Sequence, residues 1–197
     1  MTRIIAGSAG GRRLSTPPGE GTRPTSDRVR EAVFSALESA VGSWAGVRFL
    51  DLFAGSGAVG LEAVSRGAAH ATLVEQHRRA AGIARRNAQA LGLSDVDVVT
   101  AKAESFVRRT AGSPDAAACY TVVFADPPYT LAGAAVTALL ADLVAHGWLC
   151  GGAVVVVERS ARDADLVWPT GIAGDRAKRY GETVVWYGHA IRPAPCT

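Results

Sequence analysis

From residue 47 onward the sequence alternates short apolar runs with longer stretches whose apolar residues recur at helical spacing. That alternation restricts the chain to an α/β fold. Residues 47–52, 71–75, 96–100, 121–125, 153–158 and 183–187 read as strands, the last rich in β-branched and aromatic residues. Residues 57–66, 78–91, 103–110 and 131–146 read as the helices between them. Strands spaced by helices connect through right-handed crossovers and lie mostly parallel. The run at 153–158 suits a strand buried on both faces. Sheets of this kind bind ligands at the carboxyl ends of their strands, so the residues just past each strand hold the candidate site.

The first 46 residues break the pattern. Residues 3–6 and 12–16 read as extended pieces around Gly7-Ser8-Ala9-Gly10-Gly11, a hairpin-like arm. Pro17, Pro18, Gly19 and Gly21 make a loop, and Thr25, Ser26 and Asp27 offer N-cap oxygens. Val29, Val33, Leu37 and Val41 then mark one apolar helix face, ending at Gly42 or Gly46. The expected division is an arm at 1–24, one domain at 25–190 that includes this leading helix, and a loose tail at 191–197.

The chain is 48% hydrophobic and 20% charged, enough to bury a core and too apolar for disorder. A net charge of +3 names no partner by itself. The distribution is more informative: Arg3, Arg12, Arg13, Arg23, Arg28 and Arg30 crowd the first thirty residues. Guanidinium forks suit phosphate oxygens, so these are candidate phosphate contacts; a solvated basic face is the alternative. Cys119, Cys150 and Cys196 are an odd, widely spaced set, which argues against a disulfide framework. Cys119 reads as a packed small hydrophobe. His70, His77, His146 and His189 lack ligand spacing, so no metal is expected. With no leader-like segment and no run long enough to span a bilayer, the expectation is a soluble cytoplasmic protein away from membranes.

The first strand runs into Asp51-Leu52-Phe53-Ala54-Gly55-Ser56-Gly57-Ala58-Val59-Gly60. Gly55 and Gly57 permit a tight turn and close ligand approach, and Gly60 permits close helix packing. Dinucleotide enzymes carry the same spacing. Glu75, ending the second strand, can accept from both hydroxyls of a ribose, which NAD and S-adenosylmethionine share. Asp51 can meet a cationic amino group or tie down the loop. Phe53, Ala54 and Ser56 complete the expected cofactor contacts.

Ala125-Asp126-Pro127-Pro128-Tyr129 follows the fourth strand and is the most specific signal in the chain. Two prolines end the ladder in a rigid corner. An exocyclic base amine is a poor nucleophile, because its lone pair is delocalised into the ring. Two acceptors on its two N–H bonds can hold it in a reactive geometry, and the Asp126 carboxylate and Pro127 carbonyl suit that task. Tyr129 offers a stacking face worth about 1–3 kcal/mol. Asp126 or solvent can take the proton released. Cytosine-C5 chemistry needs a nearby cysteine, and Cys119 sits at the wrong end of the strand.

These blocks, together with Arg3-Ile4-Ile5-Ala6-Gly7, Gly11-Arg12 and the run Thr22-Arg23-Pro24-Thr25-Ser26-Asp27-Arg28-Val29-Arg30-Glu31-Ala32, resemble the RsmD family of 16S rRNA guanine-N2 methyltransferases. The resemblance covers residues 3–187. It implies a Rossmann-like, seven-stranded, mostly parallel methyltransferase sheet with an N-terminal hairpin extension, and S-adenosylmethionine as methyl donor. It implies guanine 966 of 16S rRNA as target, presented in an assembled small-subunit particle, with the enzyme acting as a monomer. Asp126 and Tyr129 match the family's amine-binding and stacking positions; Gly55, Gly57 and Glu75 match its cofactor loop and ribose acid. Many related enzymes carry Asp or Asn after the third strand to meet the adenine amine. Here stands Lys102, which accepts no hydrogen bond; the backbone at Ala103 or the Glu104 side chain can take its place. The block Lys178-Arg179-Tyr180-Gly181-Glu182-Thr183 also resembles the family and reads as a turn between the last two strands.

Three rivals share parts of this pattern. Another DNA or RNA amino-methyltransferase would use the same loop and corner. A nicotinamide-dependent oxidoreductase explains the glycines and Glu75 but leaves residues 126–129 idle. A non-catalytic RNA-binding factor on the same fold has no use for a complete Asp-Pro-Pro-Tyr.

Overall fold

A computed structural model describes residues 2–16, 27–109 and 119–191. In chain order the elements are α1 (Asp27–Val41), β1 (Arg48–Asp51), α2 (Ala58–Ser65), β2 (His70–Glu75), α3 (Arg78–Leu91), β3 (Val96–Thr100), α4 (Ala103–Arg109), β4 (Tyr120–Ala125), α5 (Gly133–Ala145), β5 (Leu149–Ser160), β6 (Ile172–Tyr180) and β7 (Thr183–Ala190). The strands make a seven-stranded sheet in the order β3-β2-β1-β4-β5-β7-β6. The chain divides into two compact units, Met1–Lys102 and Ala103–Thr197.

In the first unit β1 and β3 both pair parallel with β2. The apolar stripe of α1 buries Val29, Val33, Phe34 and Leu37, as its four-residue spacing requires. Phe34 stacks against Phe49 with ring centroids 6.3 Å apart. Gly42, at φ +70, follows the helix with its N–H on the Glu38 carbonyl. The arm is hairpin-like: Ile4 N–H donates to Arg12 O, Gly11 N–H to Ile4 O and Leu14 N–H to Thr2 O.

One acid fixes the arm's path. Glu62 on α2 is 0% exposed, and a buried carboxylate is costly unless paired. It accepts from Ile5 N–H at 2.6 Å, Ala6 N–H at 2.9 Å and Arg66 Nε at 2.7 Å. Ser65 adds a second hold, accepting from Ala9 N–H and donating to Ala6 O. Gly7 passes so close that a Cβ there would fall 1.8 Å from the Ser65 carbonyl oxygen.

In the second unit β4 runs parallel to β5, while β7 runs antiparallel to both β5 and β6. Trp148 stacks on Phe106 and Tyr120 with centroids 5.0 and 5.9 Å away, and its Nε1 donates to Val107 O. Two expectations are corrected here. Cys119 is not a lone packed hydrophobe: it forms a disulfide with Cys150, with Cα atoms 5.0 Å apart. The parallel register that sets Tyr120 beside Leu149 brings these residues together, and spacing along the chain cannot reveal that. The block 178–183 is only partly a turn, because Lys178 to Tyr180 finish β6. That strand went unread because it is exposed on both faces and has no apolar alternation. Among the described residues, no helix is long and apolar enough to cross a membrane, and no three His, Cys, Asp or Glu side chains gather as for a metal.

Candidate functional site

In the first unit the carboxyl end of β1 carries a glycine loop, and its three glycines have three different jobs. A Cβ on Gly55, at φ +54, would meet nothing within 4 Å, so this is where a ligand can lie against bare backbone. Gly57, at φ +86, is the turn residue that caps α2. A Cβ on Gly60 would sit 2.0 Å from Leu73 Cδ2, so Gly60 is what lets α2 rest on β2.

The loop is held from within. Gly55 N–H donates to Glu75 Oε2 at 2.8 Å, Ala54 N–H to Val74 O at 2.9 Å, and Gly57 N–H to Ala54 O at 2.7 Å. The other Glu75 oxygen accepts from His77 N–H at 2.7 Å. A carboxylate has about four lone-pair directions, so both oxygens keep acceptor capacity. Asp51 is 1% exposed. Burial pushes its carboxyl up to about 7, opposed by the N–H groups of Phe53 and Gly60 and assisted by the charge of Glu75. Asp51 thus ties the loop, and it is also a desolvated acid that an ammonium group would stabilise.

Asn87 was missed at the level of sequence. It is buried on α3, accepting from Ser15 N–H at 3.0 Å and donating to Ser15 O at 3.0 Å and Ser56 O at 2.9 Å. One amide therefore stitches the arm to the glycine loop. The available signal was a polar residue in an apolar stripe, four after Ile83 and four before Leu91.

The second unit, taken by itself, carries the diproline corner. Asp126 follows β4 half-buried, Pro127 is buried, and Tyr129 is 60% exposed. Leu131 N–H closes the turn on the Pro128 carbonyl at 2.8 Å. The Pro127 carbonyl makes no hydrogen bond among the described residues. Neither proline has an N–H, so the corner's backbone there offers only acceptors. Ala103 and Glu104 open α4 in this unit, Ala103 buried and Glu104 half-buried.

The arginines divide. Arg3, Arg13 and Arg28 are exposed, Arg3 pairing with Asp27 at 3.6 Å. Arg12 is exposed but caps α3, its guanidinium donating to the carbonyls of Leu91 and Ala90. Arg30 is a correction: it is 1% exposed and holds the Arg3 carbonyl and Asp27, so it is not a surface phosphate clamp. Desolvation lowers its pKa, with Asp27 and Glu62 opposing. Arg23 lies outside the described residues.

Comparison with known proteins adds to this geometry. The family model described as Conserved hypothetical protein 95 matches residues 2–189. The chain is 38% identical to Ribosomal RNA small subunit methyltransferase D of Escherichia coli, over 91% of this chain and 85% of that one. It is 35% identical to the Haemophilus influenzae protein of the same name, over 85% and 82%. The solved structure of Escherichia coli yhhF superposes with a TM-score of 0.83 at 32% identity, covering 96% of this chain and 98% of that one.

Proposed function

This chain belongs to the RsmD family, whose model is described as Conserved hypothetical protein 95, and on that premise we propose that it methylates the exocyclic N2 amine of a guanine in 16S rRNA. The donor is S-adenosylmethionine, which when bound supplies an electrophilic methyl group. The residues fit it: Gly55 leaves open space beside the backbone, and the buried Asp51 carboxyl suits an ammonium group. Glu75 has capacity left for ribose hydroxyls, and Phe53, Ala54, Ser56 and Gly57 shape the cradle. Ala103 and Glu104 serve the adenine.

The observation that carries the reading is the proline pair 127–128, whose backbone has no N–H and whose Pro127 carbonyl makes no hydrogen bond among the described residues. An amino group bears two N–H donors. The Asp126 carboxylate takes one and the Pro127 carbonyl the other, turning the nitrogen lone pair outward for in-line attack. Tyr129 stacks on the guanine, which must leave its own stack to reach the site. After transfer the amine is acidic, and its proton goes to Asp126 or to solvent. The target is guanine 966 in an assembled small-subunit particle, met by a cytoplasmic monomer without metal; Arg3, Arg13 and Arg28 are the arm-side phosphate contacts.

The test is a transfer assay offering unmethylated small-subunit particles, free 16S rRNA and DNA, with the product mapped by mass spectrometry. Label on one guanine N2 in particles is the expected result. Label on DNA alone, or on another base, overturns the reading.

A further inference from the structure

The inference below rests on the proposed rRNA methylation and names a second surface for that RNA. It begins with β6, whose cations are arranged differently from an ordinary charged strand edge. Paired residues across a sheet share a face, and so do residues two apart along a strand. Phe124, Val156, Tyr187 and Arg176 therefore form one row across one face. Glu158, Val185 and Lys178 form the next row toward the carboxyl end. That row is level with the point where Asp126 leaves β4, since Ala125 pairs with Val157. Strands β4, β5 and β6 run in the same direction, so Lys178 and Tyr180 lie toward the edge that carries the corner. Three strand spacings of about 4.8 Å separate the two columns, roughly 14 Å in all, a span that a short run of nucleotides covers.

The acids of this hairpin are already engaged. Asp175 holds His189 at 2.7 Å, and Glu182 holds Arg162 at 2.9 Å. Arg179 donates to the Gly181 carbonyl at 3.2 Å. The side chains of Arg176 and Lys178 make no hydrogen bond or ion pair among the described residues. Arg176 is nevertheless positioned over the Tyr187 ring, with Cζ 4.9 Å from its centroid. Tyr187 is itself buried in the sheet, so the surface under the guanidinium is fixed. Edge cations that only block strand pairing need no such support.

We propose that Arg176 and Lys178 form a phosphate-binding face on β6 that holds the RNA strand flanking the target base while the base occupies the Asp126–Tyr129 corner. Contacts of this kind position a substrate without reading its sequence. They raise affinity and leave the chemical step alone.

The test measures particle or rRNA-fragment affinity against salt, with steady-state kinetics and S-adenosylhomocysteine binding in parallel. Each phosphate contact to a single strand contributes about 0.7 to the slope of log affinity against log salt. Lys178→Ala, which removes no protein contact, should lower the slope by about 0.7; the double variant with Arg176→Ala should lower it by about 1.4. KM for RNA should rise about tenfold or more for the double variant, with kcat and S-adenosylhomocysteine affinity unchanged. Arg162→Ala, whose charge Glu182 already meets, is the control and should leave the slope alone. An unchanged slope in Lys178→Ala, or an equal loss in Arg162→Ala, overturns the surface while leaving the methylation intact. Absence of RNA methylation by the parent chain overturns the functional reading, and this surface with it.

Discussion

The loop after β1 and the corner after β4 both present backbone at the end of a parallel strand, and they do it by opposite means. The loop relies on glycine freedom and then spends its N–H groups internally, on Asp51, Val74, Glu75 and Ala54. The corner relies on two proline rings that each remove an N–H, and among the described residues it leaves the Pro127 carbonyl without a hydrogen bond and Tyr129 exposed. A self-satisfied loop is a preformed seat, suited to a cofactor that must fit the same way in each cycle. A bend whose two prolines bring carbonyls and no N–H groups favours a group that brings donors, as the proposed amine does. Four experiments would break or sharpen that contrast.

The largest effect is expected at the corner. Asp126→Ala should lower kcat by about a thousandfold, the scale of a lost positioned acceptor or base, while calorimetry finds S-adenosylhomocysteine affinity nearly unchanged. Full turnover in that variant would remove Asp126 from the mechanism. Next, Tyr129→Ala should raise KM for RNA by roughly 5- to 100-fold, the equivalent of about 1–3 kcal/mol of stacking. Its thermal midpoint should not move, because the ring is exposed; a drop there would mean the ring serves the fold.

On the loop side, Asn87→Ala leaves the Ser15 and Ser56 carbonyls without their donor. S-adenosylhomocysteine affinity should fall about tenfold, toward the lower end of the cost of unsatisfied buried groups. Unchanged calorimetry would show that the loop keeps its shape without the arm. The smallest effect concerns Asp51, whose carboxyl stands at about 7 in the folded protein. Protonation competes with an ammonium group, so cofactor affinity should fall severalfold from about pH 8 to about pH 6.5 and level off above. Because the folded value is raised, the acid's contribution to stability is full below its ordinary range and is lost as pH rises through about 7. Asp51→Asn should flatten both profiles. A parent affinity that is flat with pH would leave Asp51 only its loop-tying role.

Much of this was legible in the chain. The turn and close approach at Gly55 and Gly57 and the packing role of Gly60 were legible because glycines after a strand report local backbone, whereas the separate jobs of Gly55 and Gly57 and the clearance of Gly60 from Leu73 on β2 were not. The strand ends and the Asp-Pro-Pro-Tyr corner were legible for the same reason, since a proline acts on its own ladder position. Arg30 was misread because its composition and neighbours suit a basic surface, and only the packed arm shows it enclosed at 1% exposure. Arg12 was read as a phosphate contact, and it caps a helix almost eighty residues away. Asn87 carried a faint signal, a polar side chain in an apolar stripe, but its partners at Ser15 and Ser56 are 72 and 31 residues away.

By itself, then, the sequence determined the order of the strands and helices other than β6, the glycine loop and the diproline bend. Each of these follows from local torsions, hydrogen-bonding inventory and the period of apolar residues. Tertiary structure decided which charges are enclosed, where Glu62 pins the arm, that Cys119 meets Cys150, and that β6 is a strand at all. Those outcomes depend on which distant residues come within a few ångströms of one another, and a one-dimensional pattern carries no such distances.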